Sequence, residues 1–102
     1  MLGTQHNAYL HALATVIVII LGFVVGLSAN EWRWIVLAVI VVWAAEAFNT
    51  AFEFLCDVAS PEFHPLVEKA KDVAAAAVLI CALGALIIGI MVFGPYMVAG
   101  ED

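Results

Sequence analysis

The chain has 102 residues, 67% of them hydrophobic, and a formal net charge of −6, with a mean hydropathy of +1.15. That composition excludes an ordinary soluble domain of this size and describes an integral membrane protein. The acidic balance excludes nucleic acid as a partner and a polybasic anchor on a lipid surface.

A span needs roughly 20 apolar residues. Three such runs occur, so the chain reads as one membrane domain, 1–102, of all-α class with three transmembrane helices. Residues 1–4 are a stub, and the first span is expected over about 5–27. No basic residue precedes it, and it is longer than the core of a signal peptide, so it is read as a span. Gly22 and Gly26 form a G-x-x-x-G pair that lets another helix approach. His11, about one turn inside the lipid, reads as a hydrogen-bonded core residue rather than a ligand.

Ser28-Ala29-Asn30-Glu31 has the pattern of a capping box, so a second helix starts within a few residues of the first and the two form an antiparallel hairpin. Trp32, Arg33 and Trp34 read as an interfacial belt at that end. The second span, 31–58, extends roughly 42 Å against a hydrocarbon layer of roughly 30 Å. With the tryptophans at one interface, the other falls near Glu53, Glu46 lies inside the lipid and Asp57 lies in water. Ser60-Pro61 ends this helix, and 59–65 is the loop. Pro65 suits the first turn of a third span, 65–93, which Gly94-Pro95 is expected to close. Ala70, Ala74, Ala77, Cys81 and Gly84 make a small-residue stripe along it. Lys69 and Lys71 on one side against Arg33 on the other put the 60–71 loop in the cytoplasm. Cys56 and Cys81 both fall in helices and read as small apolar residues, not as a disulfide.

The acidic stretch from Glu46 to Asp57 organises the rest. On a helix, Glu46, Asn49, Thr50, Glu53 and Asp57 share an arc of roughly 100°, opposite Ala47, Phe48, Phe52, Phe54 and Leu55. Ionised groups near a bilayer centre cost on the order of 3 kcal/mol each, so such a stripe faces a bundle interior or an aqueous cleft and marks a functional site. No P-loop, dinucleotide fingerprint, protein-kinase signature or Cys/His metal motif is present. The remaining chemistry is hard oxygen donors at a helix end, Glu53, Asp57 and Asn49, with Lys71 and Asp72 brought beside them by the next helix. Such oxygens suit magnesium carried with substrate phosphates, and a lysine is a point charge for phosphate. Glu46, a turn or two deeper, suits a general base. These residues fit a lipid kinase working at the interface. They fit a small cation pathway lined by the same acids equally well.

Two blocks carry a family resemblance. Glu46-Ala-Phe-Asn49-Thr50-Ala-Phe-Glu53-x-x-Cys56-Asp57 resembles the signature of the small prokaryotic diacylglycerol kinases, a family that includes the undecaprenol kinases. His64-Pro65-Leu66-x-x-x-Ala70-Lys71-Asp72-x-Ala74-Ala75-Ala76-Ala77-Val78-Leu79 resembles the second block of that family, at the expected distance. The similarity runs from Gln5 to Phe93. It implies a homotrimer of three-span subunits in the bacterial cytoplasmic (inner) membrane, with ATP and magnesium in sites shared between neighbours. The implied reaction is ATP- and magnesium-dependent phosphorylation of a membrane lipid, diacylglycerol to phosphatidic acid.

By the resemblance, Glu46 deprotonates the lipid hydroxyl, with Asn49 and Ala75 beside the lipid. Glu53 and Gln5 are the metal positions. Glu62, Phe63, His64, Lys71 and Asp72, with Glu53, hold the nucleotide. The chain departs from the family pattern at its start. Gln5-x-Asn7-x-Tyr9-x-His11 stands where Glu-x-Asn-x-Arg-x-His is usual, and the surface helix usual before the first span has almost no counterpart ahead of Gln5. The alternatives are an undecaprenol kinase and a catalytically weakened trimeric scaffold of the same fold.

Overall fold

The computed structural model describes the backbone of residues 2–99 and the side chains of residues 7–98. Three antiparallel helices account for nearly all of it: α1, Leu2–Val25; α2, Ala29–Ala59; and α3, Pro65–Ala99. The bundle is elongated, 59 × 21 × 18 Å. All three helices are long and apolar enough to cross a membrane, and no strand occurs among the described residues.

Each helix turns inward a row of residues spaced alternately three and four apart. In α1 the row is Ala8, His11, Thr15, Val18, Gly22 and Val25; in α2 it runs from Trp32 through Ile35, Val39, Val42, Glu46, Asn49 and Glu53 to Cys56. In α3 it runs from Val67 through Lys71, Ala74, Val78, Cys81, Ala85 and Ile88 to Val92. A 3.5-residue period is that of a left-handed bundle. The larger apolar side chains, among them Leu13, Ile20, Phe23, Phe48, Leu55 and Leu86, lie outside these rows and are exposed. In water that surface would collapse; against lipid it is already solvated, so close packing and polar contacts hold the bundle instead.

Ser28 is the N-cap of α2. Its hydroxyl accepts from Glu31 N–H at 3.2 Å, and the Glu31 carboxylate accepts from Ser28 N–H at 2.8 Å, completing the expected capping box. Gly26 has a positive φ, +73°, and the N–H groups of Gly26 and Leu27 both donate to the Gly22 carbonyl. That pair of hydrogen bonds is how a helix stops on a left-handed glycine, so α1 ends at Val25, two residues before the expected limit. At its other end it starts at Leu2, inside the expected stub.

Several expectations need correction. The G-x-x-x-G pair is not one helix-docking motif: Gly26 is the helix stop, and Gly22 makes room for the Trp32 indole. Trp32 is accordingly half-buried in the bundle, packed on Phe23 at 5.0 Å between ring centroids, and only Trp34 and Arg33 are exposed as a belt requires. The third helix does not stop at Gly94-Pro95 but continues through Pro95 to Ala99. The backbone hydrogen bond lost at proline is compensated there, because Phe93 and Tyr96 pack on the core formed by Leu27, Ile35 and Val92, and Tyr96 Oη donates to Glu31 Oε1. The small-residue stripe is only partly a contact face. Ala74 and Cys81 lie in the inward row, while Ala77 and Gly84 are exposed.

Candidate active site

The acidic stripe of α2 lies on its inward face. Glu46 is 4% exposed and Asn49 8%, Thr50 and Glu53 are half-buried, and Asp57 emerges into the open. Behind them Ala47, Phe48, Phe54 and Leu55 are exposed as expected for the lipid side, while Phe52 is half-buried. The heptad spacing explains this division, since steps of three and four carry 46, 49, 53 and 56 along one seam. Cys56 is buried there and Cys81 half-buried, both as free thiols.

α1 meets this seam through His11. Its Nδ1 lies 3.6 Å from Glu46 Oε2, near but beyond hydrogen-bond length. One turn away, Trp43 Nε1 donates to Thr15 Oγ1 at 3.0 Å, and Thr15 Oγ1 donates to the His11 carbonyl at 2.7 Å. Neither Trp43 nor Thr15 belongs to the motifs that stand out in the sequence. The antiparallel hairpin is the signal that could have found them, because Thr15 lies about one turn on from His11 in α1 and Trp43 about one turn back from Glu46 in α2. The Gln5 side chain, expected at a metal position, lies outside the described residues.

At the open end, Lys71 Nζ lies 3.3 Å from Asp57 Oδ1. The pair joins the last turn of α2 to the second turn of α3, so the expected placement of Lys71 beside the acids is met. Asp72 follows it on the exposed side of α3, and Ala75 is exposed one turn on. The loop residues Glu62, Phe63 and His64 are all exposed. His64 also serves the backbone. Its Nδ1 accepts from Leu66 N–H at 3.1 Å, and its carbonyl accepts from Glu68 N–H at 3.0 Å. It is the N-cap of α3, with Pro65 at the first helical position. Histidine is not among the favoured capping residues, so this role was not legible in the sequence.

The arrangement is graded in depth. A buried carboxylate and amide lie in the bundle, a half-buried carboxylate lies above them, and an ion pair and an exposed loop lie at the mouth. Among the described residues, four buried polar atoms have no hydrogen-bond partner: both Glu46 oxygens, Asn49 Oδ1 and His11 Nδ1. Buried acceptors without donors are costly, so their convergence marks a place built to receive a polar group. No cluster of three or more His, Cys, Asp or Glu side chains suited to a metal occurs among the described residues. The donors at hand fit a magnesium ion that arrives with nucleotide phosphates, which needs only one or two protein carboxylates.

The chain is similar to known proteins over most of its length. The sequence profile of the family described as prokaryotic diacylglycerol kinase matches residues 1–93. An undecaprenol kinase of Bacillus subtilis (strain 168) is 41% identical over 92 residues, covering 90% of this chain and 75% of the relative. A diacylglycerol kinase of Synechocystis is 36% identical over 88 residues, 85% of this chain and 50% of the relative. One from Helicobacter pylori is 38% identical over 69 residues, 68% of this chain and 51% of the relative. No solved structure matches significantly. A profile match across nearly the whole length, carried on three helices long and apolar enough to cross a membrane, places this chain in the prokaryotic diacylglycerol kinase family of integral-membrane lipid kinases.

Proposed function

We propose that this chain transfers the γ-phosphoryl group of ATP to the hydroxyl of a membrane lipid at the cytoplasmic interface, with Glu46 as the base. The observation that carries the assignment of the base is the Glu46 carboxylate, 4% exposed, with neither oxygen hydrogen-bonded. In the proposed step the lipid O–H proton passes to Glu46, the freed oxygen bonds to the γ-phosphorus, and the bond from that phosphorus to the β–γ bridging oxygen breaks to leave ADP. Asn49 lies one turn from Glu46 and orients the lipid head, with Ala75 on the lipid side. Lys71 neutralises phosphate charge, and Glu62, Phe63, His64 and Asp72 hold the nucleotide at the mouth. Magnesium bound with ATP would be held by Glu53 and Gln5 and would neutralise charge on the transferring phosphoryl group.

Glu46→Gln is expected to abolish transfer and leave ATP binding nearly intact, because a base acts on the lipid and not on the nucleotide. Equal loss of nucleotide affinity in Glu46→Gln and Glu53→Gln would overturn the division of roles. Diacylglycerol, giving phosphatidic acid, is the first substrate reading. Undecaprenol is the second, favoured by the 41% identity to a relative of that name over three-quarters of its length. Transfer of labelled phosphate to each lipid in mixed micelles separates them, and transfer to neither leaves the weakened scaffold.

The assembly proposed is a homotrimer in the bacterial cytoplasmic membrane, with Lys69 and Lys71 on the cytoplasmic side. It is supported by the open flank of the subunit. There α1 and α3 stand apart around an apolar groove of about 640 Å³, floored by small residues including Ala14, Ala82, Ala85 and Gly89. Small residues permit close helix contact in lipid. Mass measurement of the detergent-solubilised protein tests it, and a monomer alone would overturn it.

A further inference from the structure

Resting on the kinase reading, we propose that His11 is a positioning residue for the Glu46 base: its Nδ1–H holds one carboxylate oxygen so that the other faces the lipid hydroxyl. The two side chains approach each other between α1 and α2, with His11 Nδ1 3.6 Å from Glu46 Oε2 and side-chain exposures of 19% and 6%. Among the four unpartnered buried atoms, Glu46 Oε1, Glu46 Oε2 and Asn49 Oδ1 accept, while His11 Nδ1 donates in its N–H tautomer. The imidazole is therefore the donor within the group, a few tenths of an ångström from hydrogen-bond length. Catalytic hydrogen bonds of this kind tighten when the reacting group arrives.

The surroundings hold the imidazole in place. Its ring meets Trp43 edge-on, at 6.3 Å between centroids and 77° between planes. Trp43 Nε1 in turn donates to Thr15 Oγ1, which donates to the His11 carbonyl. This chain of contacts pins α1 to α2 one turn from Glu46 and sets the height of the imidazole. A carboxylate free to rotate presents either oxygen in many directions; one oxygen fixed by a donor leaves the second aimed, which is how an orienting group raises rate without touching substrate.

The test uses the full chain in lipid–detergent micelles. His11→Phe keeps a ring against Trp43 and removes the donor; His11→Asn keeps a donor near the Nδ1 position in a group that cannot ionise. We expect His11→Phe to lower kcat about 10- to 100-fold, the scale of one hydrogen bond to a charged group, with KM for ATP unchanged. His11→Asn should restore kcat to within about threefold of wild type. In 15N spectra of labelled imidazoles, Glu46→Gln should shift the His11 Nδ1 resonance and leave that of His64 in place. Wild-type kcat in His11→Phe, an Asn variant as slow as the Phe variant, or a His11 resonance indifferent to Glu46→Gln each overturns the positioning role. Failure of the wild-type protein to phosphorylate either lipid would instead overturn the kinase reading itself, and the catalytic role of His11 with it.

Discussion

The Trp32 indole of α2 lies so close to Gly22 of α1 that a Cβ at position 22 would overlap its six-membered ring. The contact comes in the last turn of α1, four residues before the left-handed Gly26, and Phe23 packs the indole from beside it. It decides how closely α1 and α2 approach at this end, and through the rigid helices it sets where His11 meets Glu46.

Gly22→Ala is expected to destabilise the bundle by about 1–3 kcal/mol, the usual cost of forcing one methyl into a packed site. Replacing Trp32 by the smaller Phe should recover part of that loss in the double variant, and the coupling is read from thermal unfolding of the four forms in one detergent. Additive losses would mean that the two residues do not share the space.

The Lys71–Asp57 pair predicts a division between binding and stability. Both groups reach solvent, so the ion pair contributes little to folding. Lys71→Ala should weaken ATP binding about tenfold or more through loss of a phosphate contact, while the unfolding midpoint scarcely moves. Asp57→Asn, which leaves the lysine in place, should bind ATP at least as well as wild type. Calorimetric titration of ATP with magnesium distinguishes these variants.

Gln5 stands where the family pattern has a glutamate. An amide offers magnesium one oxygen but no charge to offset the water it displaces. Gln5→Glu is therefore expected to shift the magnesium requirement to lower concentration and to raise the transfer rate by about one or two powers of ten. Titrating activity against magnesium in both forms checks this, with Glu53→Gln expected to move the curve the opposite way.

At the far end, Tyr96 predicts stability without activity. Its hydroxyl donates to the Glu31 carboxylate that also caps α2, so one hydrogen bond ties the end of α3 to the α1–α2 turn. Tyr96→Phe should lower the unfolding midpoint and leave kcat and KM near wild type well below it. A fall in kcat at low temperature would show that the two ends of the bundle are coupled.

Composition and hydropathy by themselves determined that three helices cross a membrane, because spans need only length and apolarity. Local chemistry likewise determined the Ser28–Glu31 capping box and the break at Ser60-Pro61, which depend on neighbours a few residues apart. The stripe from Glu46 to Glu53 was legible as one helix face from its spacing, and the family from two blocks of residues. What only the tertiary structure decided lies between helices. The role of Gly22 depends on where the Trp32 ring falls, and the passage of α3 through Pro95 depends on Phe93 and Tyr96 finding the core and Glu31. His11 reads in the sequence as a core residue of the first span, and only the antiparallel register brings it to Glu46. A helical period tells which residues share a face, but not which face of a neighbour will meet it. That choice is made by packing between elements far apart in sequence, where lipid favours no apolar face over another and a few polar and close contacts set the register.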